Sequence, residues 1–301
     1  MEQRKGIWLA VAAYSFWGLV PVFWKALDSV PALELLAHRI LWSVPLLFLV
    51  IIARRHLGVL RDSFRTTGTA ATALVGGVLL SINWGVFVWA ITTNHIVEAS
   101  LGYFINPLVS VALGVIVLRE HLSLAQRIAV GIAVIGVAGM TILSGVPPWI
   151  SLILAFSFGT YGLLKKRTTA APPIEGLFLE SSFVAVPALL YLGLLAGDGT
   201  GALGSSLTTT LLLITAGAVT VFPLVLFGAS AQRIPLSTLG ILQYIAPILQ
   251  LLIGVIIYGE VVSNGEWFGF LLVWIALAVY TIDNVRNLNA EKRVEPDSSV
   301  R

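Results

Sequence analysis

Ten long apolar segments dominate this sequence and leave few folds open to it. Each is close to the length of about 20 residues that an α-helix needs to cross the hydrocarbon core of a bilayer. None alternates apolar and polar residues as the strands of a membrane barrel do, so the chain is predicted to be an all-α integral membrane protein. The predicted spans are 6–26, 31–53, 70–91, 98–118, 125–144, 148–166, 174–196, 208–230, 236–258 and 264–283.

The composition agrees with a membrane protein and excludes several other classes. Hydrophobic residues make up 57% of the chain and charged residues only 11%, whereas soluble domains are about one quarter charged. The absence of cysteine excludes disulfides, thiolate metal sites and cysteine nucleophiles. The histidines lack metal-ligand spacing and no phosphate-binding loop is present, so no metal and no other cofactor is expected. The basic residues do not gather on one face, so nucleic acid is not an expected partner.

The charges predict how the chain is oriented in the membrane. Sixteen of the eighteen Lys and Arg residues lie in or beside every second loop, and the loops between them hold none. By the positive-inside rule, the basic loops and both termini are predicted to be cytoplasmic. The two exceptions are Lys25, which is predicted to lie at the outer interface, and Arg39, which lies within the second span.

The fourth and ninth spans share a pattern that divides the chain into two halves. Each half has five spans, an odd number, so the second half enters the membrane from the opposite side. The predicted fold is two inverted five-helix repeats, residues 1–145 and 146–285, followed by a cytoplasmic tail, 286–301, that is expected to be disordered. Such repeats are typical of secondary transporters, whose site lies at the repeat interface. The shared pattern is a proline, a glycine and a glutamate that we expect to be structural: Pro107, Gly114 and Glu120, then Pro247, Gly254 and Glu260.

The two prolines predict breaks in their helices. Proline has no N–H and clashes with the carbonyl four residues earlier, and a free carbonyl in a membrane is tolerated where it faces protein or a water-filled cavity. We therefore favour a shared solute pathway at the two breaks over the alternative that both prolines only kink the helices for packing. The predicted lining residues are Tyr103 and Asn106 from one side and Gln243 and Tyr244 from the other.

Ionisable residues inside the spans are candidates for binding or coupling. Arg39 costs about 2.5–3.5 kcal/mol at the centre of a span, and we predict a fixed cation that pairs with a carboxylate of the solute or of the protein. Snorkelling to the outer headgroups is the alternative. Glu34 and His38, one turn apart, form either a structural ion pair or a protonatable gate. Glu180 is a candidate for proton coupling, or else it is neutral or paired with a cation.

The aromatic residues fall into two groups by position. Those near span ends are predicted to form an interfacial belt: Trp8, Trp24, Trp89, Trp149, Trp267, Tyr258 and Tyr280. Those near the middle, together with Asn83, suit a cavity for an aromatic or amphipathic molecule, although packing explains any single one: Trp17, Trp42, Trp84 and Tyr161. The fifth and tenth spans are almost purely apolar and are predicted to be scaffold, with close contacts at Gly131, Gly136 and Gly139.

Several motifs resemble the RarD-type permeases of the EamA family, within the drug/metabolite transporter superfamily. The longest runs from Glu98 to Pro107, with the sequence EASLGYFINP. Shorter ones are His38–Arg39, Asn83–Trp84, and Ser237–Gly240 followed by Gln243–Ile245. The resemblance covers about residues 6–283. It implies a ten-helix permease of the bacterial inner membrane, a family name linked with chloramphenicol sensitivity, and relatives that move amino acids and other metabolites.

The predicted function is therefore a secondary transporter and not an enzyme. It would move a small organic solute, such as an amino acid or an amphipathic aromatic molecule, by alternating access. One alternative is a membrane-embedded enzyme that acts on a lipid-linked substrate through Glu34, His38 and Arg39, and another is a nonselective channel. The solute and the lipid bilayer are the expected partners, and the oligomeric state stays open between a monomer and a homodimer.

Overall fold

The computed structural model describes residues 2–66, 68–119, 123–167, 171–231, 233–234 and 242–294, and all regular structure in these ranges is helical. This confirms the all-helical prediction for the described part of the chain. Glu120, the motif 237–240 and the tail residues 295–301 lie outside it. The helices are α1 (Glu2–Lys25), α2 (Ala32–Ala53), α3 (Leu57–Arg65), α4 (Thr69–Thr92), α5 (Ile96–Leu118), α6 (Leu124–Ser144), α7 (Trp149–Arg167), α8 (Pro173–Gly197), α9 (Leu207–Ala231), α10 (Ile245–Leu252, continued by a π-helical turn over Ile253–Ile257) and α11 (Asn264–Val294).

Eight of the described helices are long and apolar enough to cross a membrane: α1, α2, α4, α5, α6, α8, α9 and α11. The sixth and ninth predicted spans correspond to shorter apolar helices, Trp149–Lys165 and Ile245–Ile257. Two features differ from the predicted boundaries. The short helix α3 lies between the second and third predicted spans, where no helix was predicted. It was missed because its nine residues are too few and too polar to resemble a span. The last helix continues to Val294, since a helix in water does not have to end where the apolar segment ends.

The helices pack in pairs that are related by an exchange of the two halves. α6 packs along α11, α2 along α8, and α5 against α10. α5 packs against α7 as α1 packs against α10, and α4 packs against α7 and α8 as α9 packs against α1 and α2. When α1, α2, α4, α5 and α6 are exchanged in order for α7 to α11, the first three contacts map onto themselves and each of the others becomes another of them.

Glycines bring two of the exchanged helix pairs unusually close together. A Cβ added at Gly77 on α4 would lie 2.6 Å from the carbonyl oxygen of Glu180 on α8. A Cβ added at Gly217 on α9 would lie 2.4 Å from the backbone of Trp42 on α2. Because both distances are shorter than any real Cβ contact, each position requires glycine. Close backbone approach at small residues is a main source of helix association in membranes.

The α6–α11 contact uses two of the three glycines of α6 that were predicted to make close contacts. A Cβ at Gly136 would lie 3.0 Å from Leu272, and one at Gly139 would lie 2.3 Å from the ring of Phe268. Gly131 has open space at this position, so its prediction as a contact surface was wrong. The reason is helical geometry, because at 3.6 residues per turn Gly131 points about 140° away from Gly136.

Polar contacts tie the helices together at the end of the bundle that carries the N-terminus. The Ser230 hydroxyl, on α9, donates to the carbonyl of Gly6 on α1 at 2.8 Å. His56 Nδ1, just before α3, lies 2.8 Å from a carboxylate oxygen of Glu175, which is 2% exposed on α8. We call this side of the bundle the terminal end.

The opposite end is held by a carboxylate that follows the π-helical turn. The two oxygens of Glu260 accept hydrogen bonds from the backbone N–H groups of Ile96 and Val97, at 2.9 and 2.8 Å. These are the first residues of α5, whose N–H groups have no partner within the helix. A negative charge there also interacts favourably with the helix dipole. Glu260 therefore makes a contact of the structural kind that was predicted for it.

Candidate functional site

The guanidinium group of Arg39 packs against two indole rings. The residue is 7% exposed, and its Cζ is 4.3 Å from the centroid of the Trp84 ring on α4 and 5.4 Å from that of Trp24 on α1. A cation within about 6 Å of the face of a tryptophan is attracted by the ring quadrupole, and more strongly when it is desolvated. This packing favours a fixed buried cation over one that snorkels to the headgroups.

No protein carboxylate forms an ion pair with Arg39 within the described part of the chain, where the ion pairs join other residues. The Nε and one terminal nitrogen of its guanidinium have no hydrogen-bond partner. Two partners were predicted for this cation, a carboxylate of the protein or one of a solute. The described residues do not provide the first of these, the protein carboxylate.

Trp24 is the site residue that the sequence placed wrongly. Its position near the end of the first span predicted an interfacial ring, but the side chain is 0% exposed and one face is turned toward Arg39. The neighbouring Lys25 donates to the side-chain oxygen of Asn94 at 2.7 Å, in the turn between α4 and α5. Position along a span does not show whether a ring faces lipid or a neighbouring helix, so only the packing could identify Trp24.

Asn83 connects three helices beside the arginine. It is 1% exposed, and its Nδ2 donates to the carbonyl of Leu154 and to the hydroxyl of Ser157 on α7, both at 3.0 Å. Its Oδ1 accepts from the hydroxyl of Tyr103 on α5 at 3.4 Å. Trp84, the next residue along α4, carries the ring that lies 4.3 Å from the Cζ of Arg39. The structure therefore brings these predicted pathway residues together, with Asn83 holding α4, α5 and α7 in place around them.

Three further predicted residues have buried polar atoms without a hydrogen-bond partner in the described part of the chain. They are Nε1 of Trp42, Oδ1 of Asn106 and both ring nitrogens of His38. Unpaired buried polar atoms are rare in folded proteins. Three such residues on α2 and α5 are therefore notable, because they offer one donor, one acceptor and one group that can be either.

Glu34 and His38 lie one turn apart on α2, each 2% exposed, with Glu34 Oε1 3.8 Å from His38 Nε2. The same carboxylate oxygen accepts the backbone N–H of Ala202 at 2.6 Å. Ala202 belongs to the loop between α8 and α9. The carboxylate thus ties the start of α2 to this loop at the end of the bundle opposite the terminal end.

Glu180 and Tyr161 form a second polar group near the terminal end. Glu180 is 1% exposed, and its carboxylate is paired with the ammonium group of Lys165 on α7, which is 29% exposed. The hydroxyl of Tyr161 donates to its other oxygen at 3.0 Å. Of the states predicted for Glu180, the structure shows the one paired with a cation, and this pairing fastens α8 to α7.

Tyr244 packs on a different hydrophobic cluster from Trp24 and Tyr103, which together with Arg39, Asn83 and Trp84 we call the Arg39 group. The ring of Tyr244 stacks on Phe104 with centroids 6.4 Å apart, and it packs on the hydrophobic cluster formed by α5, α6 and α11. The contact brings the proline-containing helices α5 and α10 side by side. The ring itself packs on the α11 side of α5.

Gln250 on α10 was not predicted as a site residue, yet it is 3% exposed and its Nε2 donates to the carbonyl of Trp17 at 3.2 Å. Pro21, four residues later in α1, removes the N–H that would bond this carbonyl in a regular helix. Gln250 therefore supplies the donor that Pro21 lacks. The available signal was a single glutamine inside an apolar helix together with a proline inside the first span.

We expect Gln250→Leu to destabilise the protein by about 0.6–1.7 kcal/mol, the range found for hydrogen bonds between membrane helices. The reason is that the Trp17 carbonyl loses its donor. In a Pro21→Ala background the backbone N–H of residue 21 can supply that donor, so the same substitution should cost less. Thermal unfolding in detergent of the wild type, both single variants and the double variant measures this coupling. An equal cost in both backgrounds would show that Gln250 contributes something other than this bond.

A cavity of about 400 Å³ lies at the end of the bundle opposite the terminal end. The turn between α4 and α5 and the segment before α11 line it, with polar side chains from Asn94, His95, Glu98, Tyr258, Glu260 and Glu266. None of the predicted pathway residues is among its lining residues. The cavity is therefore separate from the Arg39 group.

Comparison with known proteins gives consistent matches over almost the whole chain. The model of the EamA-like transporter family matches residues 4–142 and again residues 148–282. A protein named RarD from Streptomyces exfoliatus is 45% identical over 286 residues, 95% of this chain and 90% of that protein. An uncharacterized transporter of Bacillus subtilis, YojE, is 43% identical over 97% of this chain and 98% of its own length. A match to one crystal structure, at 20% identity and a TM-score of 0.60, covers 93% of this chain and 98% of the chain in that structure. At this identity the match shows the fold alone.

Proposed function

Because this chain belongs to the EamA-like transporter family, we propose that it is a secondary transporter that moves a small organic solute by alternating access. It is a multi-pass membrane protein, and its relatives include proteins named as transporters. The proposal adds ten membrane spans arranged as two inverted halves, residues 1–145 and 146–285, in a bacterial plasma membrane.

The exchange of helix contacts between the halves is the observation that carries this proposal. The principal contacts between the two halves map onto themselves or onto one another when the halves are exchanged, and so do the close approaches at Gly77 and Gly217. A pair of equivalent interfaces can open at one end while the other closes, which is how inverted-repeat transporters alternate access. The separate family matches to 4–142 and 148–282 support the same division.

The basic loops support an orientation with both termini in the cytoplasm. In that orientation the contact of Glu34 with Ala202 closes the outer end of the bundle, and the contact of Glu180 with Lys165 closes the inner end. Alternating access then requires these two contacts to break in turn.

His38 and Glu180 occupy equivalent positions in α2 and α8 and are the proposed coupling groups. Each stands seven residues before a proline, Pro45 in α2 and Pro187 in α8. Histidine changes charge near neutral pH, and buried carboxylates serve as proton relays in many transporters. One group near each end of the pathway suits a proton that is taken up on one side and released on the other.

The proposed solute pathway is centred on the Arg39 group. Trp84 supplies an apolar wall, and Arg39, Trp42 and Asn106 supply polar atoms that have no protein partner among the described residues. Apolar walls with a few placed polar groups are the usual composition of a small-molecule site. The residues proposed along the pathway are His38, Arg39, Trp42, Asn83, Trp84, Tyr103, Asn106, Tyr161, Gln243 and Tyr244.

Uptake and counterflow in proteoliposomes test the proposal, with a panel of labelled amino acids and aromatic acids and amides, with and without a pH gradient. We expect saturable flux of at least one solute, and we expect Arg39→Ala and Asn106→Ala to abolish it although both proteins reconstitute normally. Ile142→Ala, at a residue 80% exposed on α6, is the control and should retain flux.

Wild-type flux in both pathway variants would remove Arg39 and Asn106 from the mechanism. Conductance without saturation would indicate a channel instead. Turnover of a lipid-linked substrate in detergent, where no compartments exist, would favour the enzyme alternative.

A further inference from the structure

We infer that the transported solute is an organic monoanion, a monocarboxylate with an apolar body, and that Arg39 binds its carboxylate. This inference rests on the proposed transport function and names the substrate class of the same site. It follows from the charge of the site, its unpaired donors and the side chains around them.

The first step is the missing counter charge of Arg39. A cation that is 7% exposed is costly unless it is paired, and the indole faces of Trp24 and Trp84 carry only partial negative charge. The Nε and one terminal nitrogen keep unused N–H donors. A guanidinium presents its donors in a planar fork that matches a carboxylate in two parallel hydrogen bonds. A carboxylate would therefore supply both the charge and the acceptors.

The second step is that the site holds a single uncompensated positive charge. Lys25 is engaged with Asn94 at the end of α1, and His38 faces the Glu34 carboxylate at 3.8 Å. Neither adds a free positive charge beside Arg39. One cation balances one negative charge, whereas a phosphate monoester carries up to two at neutral pH. A monoanion is therefore the better match.

The third step separates a simple carboxylate from an amino acid, which also carries an ammonium group. The buried carboxylates of α2 and α8 are already engaged: Glu34 with the N–H of Ala202, Glu175 with His56, and Glu180 with Lys165. No carboxylate pairs with Arg39 in the described ranges, so none is placed to receive an ammonium group beside a carboxylate bound there. An unpaired ammonium group in a desolvated site is strongly unfavourable. Zwitterionic solutes are therefore disfavoured.

The fourth step concerns the body of the solute. Trp24 and Trp84 flank the guanidinium, and the Tyr103 ring packs edge to face on Phe87 with centroids 5.6 Å apart. Aromatic walls of this kind accept an aromatic or aliphatic body, while a charged group fixes its orientation.

Three probes with the same ring and carbon chain separate the charge classes: hydrocinnamate, a monoanion; hydrocinnamamide, which is neutral; and phenylalanine, a zwitterion. Binding to the purified protein is measured by tryptophan fluorescence, since two indoles flank Arg39, and uptake is measured in proteoliposomes. We expect hydrocinnamate to bind most tightly. Arg39→Gln should weaken its binding by about 10–100-fold, the value of a charge-assisted hydrogen-bonded pair, and leave the binding of hydrocinnamamide unchanged.

Arg39→Lys is the matched variant, because it keeps the positive charge and loses the fork. It should bind hydrocinnamate less tightly than the wild type but still prefer it to hydrocinnamamide. A retained preference shows that the site stays folded when Arg39 is replaced, so the loss in Arg39→Gln is then due to the missing charge. The inference is overturned if the wild type does not bind hydrocinnamate, if it binds the amide or phenylalanine equally well, or if Arg39→Gln keeps the preference. Saturable flux of neutral or zwitterionic solutes alone would leave the transport function intact and remove this inference, whereas no saturable flux of any solute would contradict the transport function itself.

Discussion

Replacing Lys165 with methionine is expected to destabilise the folded protein by about 3–5 kcal/mol, the usual cost of removing one partner of a buried ion pair. The substitution leaves the carboxylate of Glu180, which is 1% exposed, without its cation. Only the hydroxyl of Tyr161 would still bond to it. Methionine keeps most of the apolar stem of the lysine, so the effect reports the lost charge and not lost packing.

The double variant Lys165→Met/Glu180→Leu should recover most of this loss, because replacing both charges with apolar groups is often neutral. The exposed pair of Glu2 and Arg233, at 3.1 Å and with 75% and 29% exposure, is the comparison. Glu2→Gln should cost about 0–1 kcal/mol. Thermal and denaturant unfolding in detergent measure the wild type and all three variants. If Lys165→Met costs no more than Glu2→Gln, Glu180 tolerates the loss of its cation by taking up a proton.

A single methyl group at Gly217 is expected to cost about 1–3 kcal/mol, the range for overpacking a tight contact. The added Cβ would lie 2.4 Å from the backbone carbon and oxygen of Trp42. Backbone atoms cannot move aside as the end of a flexible side chain can, so α2 and α9 would have to separate. Gly77→Ala, whose Cβ would lie 2.6 Å from the Glu180 carbonyl oxygen, should act in the same way on α4 and α8.

Gly228→Ala is the matched control for this prediction. It lies on the same helix, α9, and a Cβ there meets open space. Alanine has the higher helix propensity by about 1 kcal/mol, so the control should be as stable as the wild type or more stable. The measurement is the midpoint of thermal unfolding in detergent. Equal midpoints for Gly217→Ala and Gly228→Ala would mean that α2 and α9 are less closely packed than the structure shows.

The class of this protein, most of its helix positions and its family could be recognised from the sequence. The apolar segments predicted the membrane helices, because the cost of unsatisfied backbone groups in lipid leaves a continuous apolar segment little choice but a helix. The motif from Glu98 to Pro107 identified the family. Arg39 was recognisable as a candidate functional residue because a charge inside a span is costly wherever it points.

The partners of these residues could not be predicted. Trp24 was assigned to the membrane interface, Gln250 was not recognised, and Gly131 was placed on the wrong face of its helix. In water, the contrast between apolar and polar residues marks the buried face of a helix. In lipid, the outer face is as apolar as the packed face, so the sequence pattern does not distinguish the two.

By itself, the sequence determined that helices cross a membrane, which residues form most of them, and which charged residues lie within them. The reason is that the free energy of transfer from water to lipid depends on the composition of each segment of the chain. The tertiary structure alone decided which faces meet. It placed Trp24 and Trp84 against Arg39, gave the Trp17 carbonyl its donor from Gln250, and paired Glu180 with Lys165. These are contacts between distant segments, and they depend on side-chain shape and hydrogen-bond geometry that hydropathy does not record.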